Sequence, residues 1–92
     1  MNKNIELHRR TLLLRLERDF DLGGRQALDM MRLGEVRLLE SEKMLKLSLV
    51  SEKLHQYPHS EIHQLQKFRL EHDLAEIHGW MAEHEKQREH GR

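Results

Sequence analysis

Apolar residues recur along this chain at the spacing of α-helices, in three stretches separated by two breaks. At 100° per residue, five apolar residues of the first stretch fall on one helical face: Ile5, Leu12, Leu13, Leu16 and Phe20. In the last stretch the steps alternate between four and three residues, as in the heptad seam of a coiled coil: Leu70, Leu74, Ile77, Met81 and His84. Ile62, Leu65 and Phe68 continue this seam towards the preceding break as a rotated stripe. These periods predict amphipathic helices throughout.

Two short segments interrupt the helical pattern. Gly23-Gly24 predicts a helix end followed by a restart, because glycine adopts the left-handed conformation at little steric cost. Tyr57-Pro58 predicts a second break, because proline disfavours helical geometry in the residue before it, and Ser60 is suited to begin the next helix. We therefore predict an all-α, three-helix chain built on a long antiparallel helical hairpin, with helices at about 4–22, 25–57 and 60–90.

The middle helix has two apolar stripes, so it is expected to contact two neighbours. One stripe contains Leu28, Met31, Leu38, Leu45 and Leu49, and the other contains Met30, Leu33, Met44, Leu47 and Leu54. The first helix also has a second apolar side, at Leu7 and Leu14. Such positions offer more apolar surface than one hairpin needs. We predict that five of them bind a partner: Leu7, Leu14, Met30, Leu33 and Met44.

Two glycines lie inside helical patterns, where each costs about 1 kcal/mol relative to alanine. They are Gly34 and Gly79. This cost suggests that a neighbouring backbone approaches closely at both positions. For Gly79, an incidental glycine on an exposed face is an equal alternative.

Composition supports the helical pattern and excludes several classes of protein. Leucine is the commonest apolar residue with 17 copies, while aromatic residues make up only 4% of the 92 residues. The chain has no cysteine, which excludes a disulfide scaffold, a thiol enzyme and a zinc-thiolate site. We expect one helical domain over residues 1–92 and, since no apolar signal segment opens the sequence, a cytoplasmic location.

Six arginines lie in the first third of the chain, although the whole sequence has 16 basic and 16 acidic residues. They are Arg9, Arg10, Arg15, Arg18, Arg25 and Arg32. Phosphate binding by these arginines would make the chain a nucleic-acid-binding protein. Interspersed aspartates and the absence of an aromatic platform argue against it. We favour a role for Arg9, Arg10, Arg15 and Arg18 in steering an acidic partner.

The eight histidines are the most unusual feature of the composition. His55, His59 and His63 are spaced by four residues across the second break, and imidazoles at this spacing can share a zinc ion. Because the proline interrupts the helix, a solvated polar corner is the stronger interpretation. The histidines also gain charge below about pH 6.5, so a metal- or pH-responsive helical protein is a second alternative.

No glycine-rich phosphate loop, nucleophile elbow or HExxH sequence is present, so we expect neither catalysis nor a cofactor. The spare apolar surface instead indicates a non-catalytic protein–protein interaction module. Its expected role is that of a small adaptor, inhibitor or assembly chaperone, which binds another protein or itself as a homodimer.

Overall fold

A computed structural model describes the backbone of residues 2–90 and the side chains of residues 4–85. This part of the chain contains no strand and folds into four helices, so the all-α prediction is confirmed. The helices are α1 (Asn2–Gly23), α2 (Arg25–Asp29), α3 (Leu33–Gln56) and α4 (Glu61–His90). In the described residues, none of the four is both long and apolar enough to cross a membrane.

The break between α1 and α2 lies where the glycine pair predicts it. Gly24 has φ of 55°, in the left-handed region that favours glycine. Its N–H donates to the carbonyl of Phe20 at 2.8 Å, and its own carbonyl accepts from Ala27 at 3.0 Å. One residue therefore ends α1 and begins α2.

The middle stretch forms two helices, where the sequence pattern predicts one. The N–H groups of Met30 and Met31 donate to carbonyls three residues earlier, at 3.1 Å each, and α2 ends there. At the start of α3, Glu35 accepts a hydrogen bond from the backbone N–H of Arg32 at 3.0 Å, as the glutamate of a capping box does. Apolar residues continue through this break, and they conceal it in the sequence.

Pro58 lies in the turn between α3 and α4, as predicted to within one residue at each helix end. The N–H of Ser60 donates to the carbonyl of Tyr57 at 3.1 Å. Gln64 closes the turn, because its side-chain amide donates to the carbonyl of Pro58 at 2.9 Å. The carbonyl of Ser60 accepts the first hydrogen bond of α4, from the N–H of Gln64 at 3.1 Å.

The chain comprises two compact units, Met1–Leu39 and Glu40–Arg92. Helices α1 and α2 pack against each other within the first unit. Each unit has a small set of buried apolar side chains. Those of the first unit are Leu16, Phe20, Leu28, Val36 and Leu39. Those of the second unit are Leu74, Ile77 and Trp80.

Two polar contacts show how α3 and α4 run in the second unit. The ammonium of Lys43 bonds to the carboxylate of Asp73 at 3.0 Å, and His78 Nε2 lies 2.6 Å from Glu40 Oε2. From Lys43 back to Glu40 on α3, the contacted residue on α4 moves forward from Asp73 to His78. The two helices are therefore antiparallel between these levels.

The expectation of close backbone approach at the two helical glycines is wrong. A Cβ added at Gly34 or at Gly79 would meet nothing within 4 Å. Gly34 is the second residue of α3 and is exposed, because the helix begins later than the sequence pattern indicates. Gly79 is also exposed, so the alternative proposed for it, an incidental surface glycine, fits the structure.

Candidate interaction surfaces

The second unit has no buried side chain between Lys43 and Leu74. We call residues 44–73 its turn half, because they contain the turn at Pro58. Besides Tyr57 in the turn itself, six apolar side chains of the turn half are between 52% and 67% exposed. They are Met44, Leu45, Leu49, Ile62, Leu65 and Phe68. The turn half therefore presents most of its large apolar side chains to the surroundings.

The turn half consists of only two helical segments, one from α3 and one from α4, and this explains the exposure of its apolar side chains. Each helix of an antiparallel pair covers one stripe of the other, and the stripe here contains only partly buried side chains such as Leu47, Leu54 and Leu70. Apolar residues elsewhere on either helix have no third helix of the turn half to cover them. A sequence with apolar residues on several sides is therefore incompletely buried in this region.

An open groove of about 530 Å³ runs between α3 and α4 in the second unit. Its α3 side includes Met44 and Leu47, and its α4 side includes Leu74 and Ala75. Serines and charged or titratable groups at its edges complete the lining: Ser48, Ser51, Glu71 and His78. A flexible methionine beside a shallow apolar floor suits the side chains of another helix.

The buried charged residue of the second unit, Lys43, is only 6% exposed. Its salt bridge with Asp73 at 3.0 Å is partly buried, since the Asp73 side chain is 21% exposed. A buried ion pair contributes little net stability, but leaving one partner unpaired is costly. The pair therefore opposes sliding of α3 along α4 and contributes to their register.

Helix α1 also has a stretch, residues 4–15, without a buried side chain. The predicted partner-binding residues Leu7 and Leu14 are 65% and 62% exposed. Met30, between α2 and α3, is 87% exposed, whereas Leu33 is half-buried. Of the five apolar residues predicted to bind a partner, Met44 alone lies in the second unit.

The four arginines predicted to steer a partner are all exposed: Arg9, Arg10, Arg15 and Arg18. Arg15 differs from the others because its guanidinium lies 3.5 Å from the carboxylate of Glu35. That carboxylate also caps α3. Arg15 thus has a role inside the first unit in addition to its exposed charge.

The three histidines around the turn do not come together. His55 and His59 are exposed, while the half-buried His63 forms a hydrogen bond of 2.6 Å between its Nδ1 and Ser60 Oγ. Over residues 4–85, no group of three His, Cys, Asp or Glu side chains is placed to hold a metal ion. The ring of His63 instead forms its hydrogen bond with Ser60 at the start of α4.

Five of the exposed apolar residues belong to stripes that the sequence pattern assigns to helix packing: Leu45, Leu49, Ile62, Leu65 and Phe68. The spacing of Ile62, Leu65 and Phe68 contains a signal against that assignment. Steps of three residues rotate the row by about 60° each time, so the row turns away from a fixed contact face. A straight seam needs alternating steps of three and four residues.

Comparison of the chain with protein-family models, with curated protein sequences and with solved structures finds no match.

Proposed function

We propose that this chain is a non-catalytic protein–protein interaction module. Its role would be that of a small adaptor, inhibitor or assembly chaperone that binds another protein or a second copy through helical faces. The observation that supports this proposal is the turn half, in which no side chain is buried and six large apolar side chains are more than half exposed. The antiparallel pairing of α3 and α4, extended into a long hairpin, is the proposed scaffold.

Removing the exposed apolar side chains of the turn half from water is energetically favourable. Fully burying a Leu, Ile, Phe or Met side chain is worth about 1.5–3 kcal/mol. Each of the six side chains retains more than half of its exposure. Covering them with a partner would therefore contribute several kcal/mol, which is comparable to the stability of a small domain.

The first unit adds electrostatic steering to this proposal. Arg9, Arg10 and Arg18 are exposed near Leu7 and Leu14 in the sequence of α1. A partner with an acidic surface would be attracted to these arginines and would cover the two leucines on docking. Met30 and Met44, with the half-buried Leu33, are the other proposed contact residues.

Site-specific photo-crosslinking tests the proposal even when the partner is unidentified. Leu49 and Phe68 are replaced, one at a time, by a photoreactive phenylalanine analogue in the full chain, expressed in the cells that produce it naturally. Glu52 and Glu85 are the matched controls, since they are exposed polar residues of the same two helices. Each variant is first checked for helical content.

The expected result is a discrete adduct at Leu49 or Phe68 that is absent at the control positions. A second copy would give an adduct of about twice the chain mass of 11.1 kDa, and another protein would give a different mass. If neither apolar position gives more adduct than the controls, the proposal is wrong. If a charge-reversed R9E/R10E variant captures its partner at an unchanged rate, these arginines do not steer binding, and the rest of the proposal stands.

A further inference from the structure

The first part of α4 is symmetric about Leu65 in its apolar residues. Ile62 precedes Leu65 by three residues, and Phe68 follows it by three. Gln64 and Gln66 lie directly on either side. All five side chains are exposed, and the three apolar ones are 60–67% exposed.

The charges of the same segment are opposite at its two ends. Glu61 lies four residues before Leu65, and Arg69 lies four residues after it. Both are exposed, and neither forms an ion pair with another residue in the described part of the chain. Reversing the direction of the segment therefore preserves its apolar pattern and exchanges the two charges.

We infer that residues 61–69 of α4 bind the same residues of a second copy, in an antiparallel pair with a two-fold axis beside Leu65. A two-fold interface uses one patch on both subunits, so the patch must be complementary to itself. Pairing around this axis places Leu65 beside Leu65 of the second copy, Ile62 at the level of its Phe68, and Glu61 at the level of its Arg69. The inference rests on the proposed function and identifies one partner for it.

The exposure of the intervening residues agrees with this pairing. His63 and Lys67 are half-buried, so this side of α4 is partly covered. Ile62, Leu65 and Phe68 are left on the uncovered side, where a second helix can approach to the usual 8–10 Å between axes.

The charge arrangement favours a second copy over a partner of one charge sign. An acidic partner would attract Arg69 and be repelled by Glu61, and a basic partner would do the reverse. An antiparallel copy of the segment satisfies both ends at once, and by symmetry it does so twice. Because three apolar side chains form a small contact, we expect a reversible dimer with a dissociation constant in the micromolar range.

Charge exchange tests the direction and register of the pair. In the E61R and R69E variants, each attractive pair becomes a repulsive one, and we expect the dissociation constant measured by sedimentation equilibrium to rise by about fivefold or more. The double variant E61R/R69E restores both pairs and should return close to the wild-type value. This rescue is specific to the pairing, since the double variant retains any loss of α4 stability caused by arginine at its first residue.

Cysteine substitution tests the position of the axis, because the chain has no cysteine of its own. Leu65→Cys places the two thiols beside the axis, within reach of an intermolecular disulfide under mild oxidation. Leu49→Cys is the matched control, as it is an exposed leucine of similar accessibility on α3. Faster dimer formation by Leu65→Cys supports the inference, and equal rates for the two variants overturn it.

The outcomes separate this inference from the proposed function. A wild-type chain that remains monomeric at all concentrations, or a double charge variant no tighter than the single ones, overturns the antiparallel α4 pair. Photo-crosslinking adducts of another mass would still support an interaction module in that case. Absence of position-specific adducts together with a monomeric chain would overturn both.

Discussion

The Lys43–Asp73 salt bridge gives a direct test of what holds the second unit in register. In the Asp73→Ala variant, Lys43 keeps its 6% exposure but loses the carboxylate 3.0 Å from its ammonium. The comparison variant is Lys43→Met, which keeps an unbranched chain of similar length and removes the charge. It removes the ammonium partner of Asp73, but that side chain is 21% exposed, retains contact with water and has His72 Nδ1 at 4.0 Å from its other carboxylate oxygen.

Removing one partner of a fully buried ion pair costs about 3–5 kcal/mol. Two features lower the value here, since Asp73 is only partly buried and Lys43 also takes part in a further interaction. We therefore expect Asp73→Ala to lower the free energy of unfolding by about 2 kcal/mol and Tm by roughly 8–16 °C. Lys43→Met should cost less than about 1 kcal/mol, because its methylene chain still packs and the remaining carboxylate is hydrated.

Urea unfolding at one fixed protein concentration, followed by far-ultraviolet circular dichroism, measures both variants against the wild type. Fixing the concentration matters because association would add to the apparent stability. If Asp73→Ala costs less than about 0.5 kcal/mol, or less than Lys43→Met, the salt bridge does not determine the register and the argument from desolvation fails.

Three further predictions concern single residues. Gly79→Ala should raise the free energy of unfolding by up to about 1 kcal/mol, because the added methyl group meets nothing within 4 Å. Gly24→Ala should lower the free energy of unfolding by about 1–2 kcal/mol, because φ at this position is 55°. The urea unfolding midpoints of the two variants test both expectations. Glu35→Ala should lower the free energy of unfolding by about 1 kcal/mol, because the backbone N–H of Arg32 loses its acceptor. Glu35→Gln keeps an acceptor oxygen and should lower it by less. Equal losses in thermal melts of the two variants would contradict the capping role. His84→Asn should lower the free energy of unfolding by about 0.5–1 kcal/mol, because it removes the ring stacked on the indole of Trp80 with centroids 3.7 Å apart, while asparagine and histidine have similar helix propensities; urea midpoints measure the loss.

The sequence predicts the helices and two of the three breaks because each depends on local chemistry. Gly24 supplies a positive φ, and Pro58 prevents continuation of α3, so neither break depends on tertiary contacts. The third break is different. Arg32 occupies the N-cap position of α3, where serine, threonine, aspartate or asparagine is usual. The signal that remains in the sequence is Glu35 at the capping-box position, which accepts the backbone N–H of Arg32.

Exposure in the turn half is harder to predict, because helical periodicity identifies a face but not the element that covers it. Leu45 and Leu49 belong to a predicted stripe of the middle helix, yet the second unit has no third helix over residues 44–73 to cover them. The pattern does reveal surplus apolar surface, as Leu7, Leu14 and Met30 illustrate by their exposure. The sequence pattern does not show that the exposed apolar side chains of the turn half lie on α3 and α4 on both sides of Pro58.

The lack of buried side chains in the turn half has a consequence for the proposed interface. In most helical pairs, interlocking core residues fix the register. No buried side chain does so within the turn half, so we expect the polar contacts Lys43–Asp73 and Glu40–His78 to contribute to the register beside the buried Leu74, Ile77 and Trp80. The position of Leu65 relative to α3 then depends on these contacts. Asp73→Ala should therefore weaken self-association as well as folding, although Asp73 lies outside residues 61–69. Loss of stability with an unchanged dissociation constant would show that α4 presents its segment independently of α3.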